Sequence, residues 1–358
     1  MENEKECIAL IIPSLHAGGM ERVISELANF FCNLGNLNVH LIILSNKEKF
    51  YTIGQNVKIH EPNFVSNGFW GSIKLIFFLR KKIKLISPDC ILSFGEMYNS
   101  FVLLSLLGLN KRIFVSDRSK PDKNWGFIHN NLRVILYKKA FGIISQTAYA
   151  AEFIKSKINH PNVKIIGNPF HIYSNGIILN RKNIILTVGR MIKSKQHSHL
   201  LQIFSEIKNN DWELHFVGDG PERQNLETLA KQLNLVNKVK FHGNQKIVSG
   251  FYDSAKIFAF TSCSEGFPNV IGEAMSHGLV PISYDFIAGA SDLIQNNKNG
   301  VLVKLNNKEE FGEELFKLMN DETKLNTFSK NAIDSMSKFN IDQIAMKYLN
   351  FMLNNEKN

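Results

Sequence analysis

The sequence predicts an α/β protein made of two Rossmann-like parallel-sheet domains that face a cleft. Three observations predict it. Short apolar runs of strand length alternate with amphipathic segments of helix length along most of the 358 residues. The alternation breaks once, over the polar and Gly/Pro-bearing stretch 168–183, and then restarts. Gly- and Ser-rich turns follow strands in both halves, where parallel sheets bind ligands. The expected division is therefore a first domain over 1–167, a linker over 168–183, and a second domain over 184–338. A last helix over 339–358 could return to cover the first domain.

In the first half, Cys7–Ile12 reads as a strand closed by Pro13, and Ser14–Gly19 (SLHAGG) as a glycine turn. Met20–Leu34 is an amphipathic helix and Asn38–Leu44 the next strand, which makes a βαβ start. Gly18 and Gly19 allow close backbone approach to a ligand at a helix N-terminus, or else simply form a tight turn. There is no G-x-G-x-x-G, so the dinucleotide fingerprint is missing. Ser72–Ile86 is helical, with Lys74, Arg80, Lys81, Lys82 and Lys84 and no acid, and Phe69 and Trp70 precede it. It reads either as a helix lying on an anionic membrane or as a crossover helix with a solvated basic edge. Asp117 and Arg118 follow the strand Arg112–Ser116, at a carboxyl end where a ligand would sit, or form an ordinary loop ion pair. His129 lies in a loop or early helix, as a structural group or as an acid–base candidate.

In the second half Ile184–Val188 is a strand, and Arg190 and Lys195 follow it in one loop. A fork donor and a point charge together suit a diphosphate. Gly218-Asp219-Gly220-Pro221 opens a helix. Ala255–Phe260 is a buried strand, followed by a small-residue loop and then Pro268, which suits a helix start. Val270, Ile271, Ala274 and Met275 form that helix's apolar face, and Gly278 ends it. Backbone N–H groups around Phe267, Pro268, Asn269 and Val270 make an anion site. Glu265 and Glu273, eight positions apart, flank it as double acceptors for vicinal hydroxyls.

Composition bounds the function. Apolar content of 44% and charged content of 21% fit a globular protein, and runs such as Phe101–Leu104 are too short to span a bilayer. No leader pattern is visible, and the scattered Cys7, Cys32, Cys90 and Cys263 suit reduced thiols, so a cytoplasmic location is expected. The formal charge of +10 favours anionic partners. Without zinc-finger spacing or an RNP-like pattern, nucleic acid is not expected. Without an Asp-x-Asp motif, neither is a carboxylate-held metal.

Taken together, these segments resemble the family 4 retaining glycosyltransferases of the GT-B group, over nearly the whole chain. SEGFPNVIGEAMSHGLVPIS is similar to the family's Glu-x7-Glu segment, VGRMIKSK to its phosphate-binding segment, LHAGGMERV to its Gly-Gly loop and VGDGPE to its Gly-x-Gly-Pro turn. The resemblance implies that Arg190 and Lys195 neutralise the donor diphosphate in place of a metal, that Glu265 meets the donor sugar and that Glu273 meets the ribose. It implies that Phe267, Pro268, Asn269 and Val270 face sugar and phosphate, and that Gly18 and Gly19 close over the diphosphate. No cofactor is implied beyond a nucleotide-sugar donor, with UDP expected. SDRSKP and the helix after it resemble a bacterial subgroup that builds lipid-linked oligosaccharides and surface polysaccharides. Asp117 stands there for Glu, and His197 stands where the phosphate segment usually has Gly. The implied acceptor is a glycan on a polyprenyl diphosphate, met at the inner face of the cytoplasmic membrane, with Asp117, Arg118 and His129 on the acceptor side. Two other functions share these features: a UDP-N-acetylhexosamine 2-epimerase, and a non-catalytic nucleotide-sugar-binding subunit.

Overall fold

The computed structural model describes residues 5–16, 18–45, 48–65, 68–172, 181–208 and 211–353. The chain forms two compact units, Met1–Pro169 with Ile341–Asn358, and Phe170–Asn340. Much of the stretch expected as a linker, 173–180, lies outside the described residues.

The first unit runs β1 (Glu6–Ile12), α1 (Gly19–Asn33), β2 (Leu37–Ile43), β3 (Lys58–His60), α2 (Gly68–Ile86), β4 (Cys90–Phe94), α3 (Glu96–Ser105), β5 (Arg112–Ser116), α4 (Phe127–Tyr137), β6 (Gly142–Ser145), α5 (Ala148–Ile158) and β7 (Val163–Ile165). Its strands pair in parallel in the order β3-β2-β1-β4-β5-β6-β7. The inner strands are apolar on both faces because helices cover both. Leu75, Leu79 and Ile83 of α2, Val102 and Leu103 of α3, and Leu136 and Tyr137 of α4 share one core with Ile91, Val115 and Ile143. The basic helix starts earlier than its charge pattern suggested, at Gly68, so Phe69 and Trp70 are inside it.

The second unit runs β8 (Lys182–Val188), α6 (His197–Glu206), β9 (Glu213–Val217), α7 (Arg223–Gln232), β10 (Val239–Phe241), α8 (Ser249–Ser254), β11 (Ala255–Phe260), α9 (Asn269–Ser276), β12 (Val280–Asp285), α10 (Ala290–Leu293), β13 (Val301–Lys304), α11 (Lys308–Asn320) and α12 (Glu322–Met336). The sheet is parallel, in the order β10-β9-β8-β11-β12-β13. Alternate residues feed two cores. Ile185 and Ile257 point to the α6, α7 and α11 side, whereas Leu186 and Phe258 point to the α9 and α12 side. The final helix, α13 (Ile341–Leu353), packs on α1 and β4, within the first unit. Tyr348 tilts against Phe94 and Phe351 lies edge-on to Phe114.

Candidate active site

In the second sheet the strand order reverses between β8 and β11, so the loops leaving those strands flank the crevice where open α/β sheets take their ligands. They carry Arg190 and Lys195 on one side and Glu265 on the other. Gly189 turns the chain out of β8 at φ 149°. Gly218, after β9, is pressed against it: a Cβ there would lie 2.0 Å from the Gly189 carbonyl oxygen. The loop then makes a single 3-10 turn, Lys193–Lys195, and enters α6 through Gln196 at φ 49°. The left-handed position that glycine would relieve is therefore Gln196, not His197, which is already the first helical residue. His197 is buried beneath the loop, edge-on to Phe216, and burial followed by the nearby Lys195 charge lowers its pKa to about 4.

The two loops are stitched together. Thr261 Oγ1 donates to the carbonyls of Lys195 and Gln196 at 3.0 and 3.1 Å, and the Cys263 N–H donates to Ser194 O at 2.9 Å. This places Lys195 Nζ 2.6 Å from Glu265 Oε1, and 4.8 Å from the centre of the Phe260 ring. The two charged side chains are only 15% and 17% exposed. Ser262 Oγ donates to the same Glu265 oxygen at 2.7 Å. Arg190 stands exposed, and its guanidinium makes no hydrogen bond or ion pair among the described residues. One loop thus offers a held cation and a free one.

Next to them lies the start of α9. Pro268 is its N-cap, one position ahead of the helix proper, and no side chain caps it. The Asn269 N–H turns back to Phe267 O, while those of Gly266, Phe267 and Val270 meet no acceptor among the described residues. These donors and the helix dipole favour an anion. Phe267 is buried and stacks on Phe170 with ring centres 6.2 Å apart. On the next turn Glu273 accepts a hydrogen bond from Tyr252 Oη at 3.1 Å. Tyr252 is buried in α8, its ring stacked on His277, whose Nδ1 lies 2.7 Å from Asp253 Oδ1. Tyr252 was invisible in sequence because a tyrosine in a short helix carries no motif of its own.

The first sheet reverses between β1 and β4. Gly18 is extended, at φ −174°, so backbone strain does not explain the glycine. Crowding does: a Cβ would meet Glu21 Oε2 at 2.2 Å, and Tyr51 Oη bonds both the N–H and the carbonyl of Gly18. Gly19 opens α1. The Glu21 carboxyl is buried, and desolvation raises its pKa.

Asp117 is turned into the interior. It accepts from Tyr137 Oη at 2.6 Å and from Arg133 Nη2, with Asn99 Nδ2 at 3.4 Å. Arg118 lies 3.6 Å over the Phe94 ring and donates to Asn168 Oδ1 at 2.6 Å and Tyr348 Oη at 2.9 Å. Both are thus bound into the first unit's own framework. His129 is exposed on α4, apart from that network. Glu96 is the carboxylate that the sequence did not single out. Buried at the start of α3, it accepts from the N–H groups of Arg118 and Ser119, and its pKa is raised by desolvation and then by Asp117.

Comparison with known proteins decides what this geometry belongs to. Residues 174–335 match the family described as Glycosyl transferases group 1. The chain is a glycosyltransferase whose second unit carries the group 1 match. The transferase is 29% identical to the GalNAc-alpha-(1->4)-GalNAc-alpha-(1->3)-diNAcBac-PP-undecaprenol alpha-1,4-N-acetyl-D-galactosaminyltransferase of Campylobacter jejuni, over 96% of this chain and 97% of that one. It is 28% identical to the amylovoran biosynthesis glycosyltransferase AmsD of Erwinia amylovora, over 93% and 95%. Its fold is that of GT-B structures: the lipopolysaccharide outer core galactosyltransferase WaaB superposes with a TM-score of 0.79 at 20% identity, over 96% of this chain and 98% of that one. Anabaena Alr3699/HepE in complex with UDP gives 0.80 at 18%, over the same shares.

Proposed function

We propose that the transferase moves a hexose or N-acetylhexosamine from a UDP-sugar to a lipid-linked oligosaccharide or surface-polysaccharide acceptor, with retention of anomeric configuration and without a metal. The observation that carries this reading is the Lys195–Glu265 pair, held at the sheet's switch point beside the uncapped start of α9. Support comes from relatives named for an undecaprenol-linked glycan and for amylovoran biosynthesis, and from a neighbour solved with UDP.

The chemistry follows from the residues. Lys195 exchanges Glu265 for a diphosphate oxygen, and the unpaired Arg190 closes on the same group. Their fixed positive charge stabilises the leaving diphosphate as its charge develops, the task a metal would otherwise serve. The open N–H groups of Gly266, Phe267 and Val270 add neutral donors to the same anion. Glu265, released from Lys195, accepts hydroxyls of the donor sugar. Glu273, aimed by Tyr252, accepts the ribose hydroxyls. The acceptor hydroxyl attacks the anomeric carbon from the face the diphosphate leaves. Its proton passes to the departing phosphate oxygen, so no second carboxylate pair is required. A polyprenyl-linked acceptor places the reaction at the inner face of the cytoplasmic membrane.

The test is turnover of a UDP-sugar with acceptor in excess chelator. Lys195→Ala is expected to lower kcat on the order of a hundredfold or more, if it stabilises leaving-group charge. Near-normal turnover in that variant would overturn the reading, as would a product of inverted configuration. An epimerised donor formed without acceptor would point to the epimerase instead.

A further inference from the structure

Each helix that follows a parallel strand begins at the sheet's carboxyl edge and runs back across it. In the first unit α2, α3 and α4 do this side by side, with α2 packed on α3 and α3 on α4. Their first turns therefore line one edge, the same edge that holds the Gly18–Gly19 turn and the switch point between β1 and β4. Those first turns carry large apolar side chains pointing outward. Phe69 and Trp70 of α2 are 73% and 74% exposed, and Phe127 and Ile128 of α4 are 84% and 70% exposed. Tyr98 of α3, between them, is also exposed. Below Trp70, one stripe of α2 presents Lys74, Phe77, Lys81 and Lys84.

This arrangement bears on the two readings that the sequence leaves open for the basic helix. A crossover helix with a solvated basic edge would bury its aromatic rings and expose its lysines. Here Leu75, Leu79 and Ile83 supply the buried face with Phe78 packed beside them, while Phe69, Trp70 and Phe77 stand outside among the lysines. Neither α2 nor α4 contains an acidic residue. Aromatic rings and lysines on one face match the headgroup level of a bilayer, where the rings enter the interface and the ammonium groups meet anionic phosphate.

We infer that the first turns of α2 and α4, with the α2 lysine stripe, form a two-pronged seat for an anionic lipid bilayer. The seat lies at the acceptor end of the first sheet, so a glycan carried on a membrane lipid reaches the enzyme from the edge where the Gly18–Gly19 turn lies. The placement rests on the reading of a lipid-borne acceptor, but the docking itself is tested without it.

The full chain is sedimented with vesicles of phosphatidylcholine alone and of phosphatidylcholine mixed with phosphatidylglycerol, at low and high salt. Binding is expected to the mixed vesicles, with loss at high salt. The double variant Trp70→Ser with Phe127→Ser, and separately Lys74→Glu with Lys81→Glu, are each expected to lower partitioning by about tenfold or more. Stabilisation of the same proteins by UDP reports independently on the second unit. If the parent binds neither vesicle, or the variants bind as it does, the seat is wrong. If the parent is a dimer that the serine variant dissociates, with no vesicle binding by either, the face is covered by a second copy and the inference falls. If UDP fails to stabilise the parent, the donor reading fails, while the vesicle result still judges the seat.

Discussion

Glu265 and Glu273 are chemically identical, and their surroundings differ. Glu265 is held by a cation and a serine hydroxyl at the loop's edge, so its carboxylate is fixed in the absence of sugar. Glu273 is aimed by a phenol from the neighbouring helix. That phenol makes a prediction possible at this scale. Tyr252→Phe keeps the ring that stacks on His277 and removes only the donated hydrogen bond, whose net worth is about 1 kcal/mol. A rise of roughly three- to tenfold in donor KM is expected, with kcat little changed, because the ribose lies away from the reacting carbon. Steady-state kinetics check it. A fall in kcat alone would mean that Tyr252 acts through the fold and not through Glu273.

At the scale of the element, α9 is placed by contacts on both sides. One side is strapped to α8 by the Tyr252–Glu273 and Asp253–His277 pairs. The other lies against Phe170, which a Cβ on Gly272 would approach to 2.3 Å. Phe170 is fully buried, stacked on Phe267 and edge-on to Phe339, so its ring cannot swing away. Alanine is a better helix former than glycine by about 1 kcal/mol, yet overpacking a closed core costs about 1–3 kcal/mol, so the clash wins. Gly272→Ala is therefore expected to lower the melting temperature by a few degrees. On the proposed reading it should also weaken UDP binding, since the displaced ring pushes on Phe267 at the uncapped start of α9. Thermal unfolding with and without UDP reads both effects; a more stable variant would show that Phe170 has room to move.

At the scale of the whole molecule, each unit buries a histidine that must stay neutral. His40 in the first unit pairs with His60 at 2.9 Å, and burial, followed by the His60 and Lys58 charges, lowers its pKa to about 4. His197 in the second unit is lowered to the same value. The unfolded chain, with an ordinary histidine pKa of about 6.5, binds these protons more readily. Their contribution to stability is thus complete above about pH 6.5 and is lost as the pH falls towards 4, at roughly 2–3 kcal/mol for the well-buried His197. Denaturant unfolding across that range should show the decline, and His197→Phe should flatten it for the second unit. A slope unchanged by that substitution would assign the decline elsewhere. The first unit is also completed from the far end of the chain, because α13 supplies Tyr348 to Arg118 and Phe351 to the Phe114 ring. Removing residues 341–358 is expected to strip amide-exchange protection from β4 and α1 while leaving β8 and β11 protected. Equal loss in both units would contradict the division.

The fold class was legible because strand-length apolar runs and amphipathic helices alternate, and that pattern admits few architectures besides parallel sheets. The residues proposed for the donor side stood out for a related reason: Arg190, Lys195, Glu265 and Glu273 sit in loops and a helix start whose local chemistry is written in consecutive residues. The glycine-rich turn and its neighbour Glu21 were in view as well, though the reason for Gly18, a carboxylate in the space a Cβ would fill, was not. What the sequence by itself determined was therefore local: period, turn chemistry, and charges close together along the chain. Only the tertiary structure decided the contacts between distant segments. Lys195 meets Glu265 seventy positions away, Tyr252 selects Glu273, and Asp117, which looked like a loop carboxylate, is turned inward by Arg133 and Tyr137. The helix Phe127–Tyr137 is legible in sequence only as a loop or early helix around His129, and its exposed Phe127, Ile128 and Ile135 keep its apolar residues from marking one buried face. Which face of a helix is buried depends on the neighbours it packs against, and that is why the exposed aromatics of α2 and α4 appear only in the folded chain.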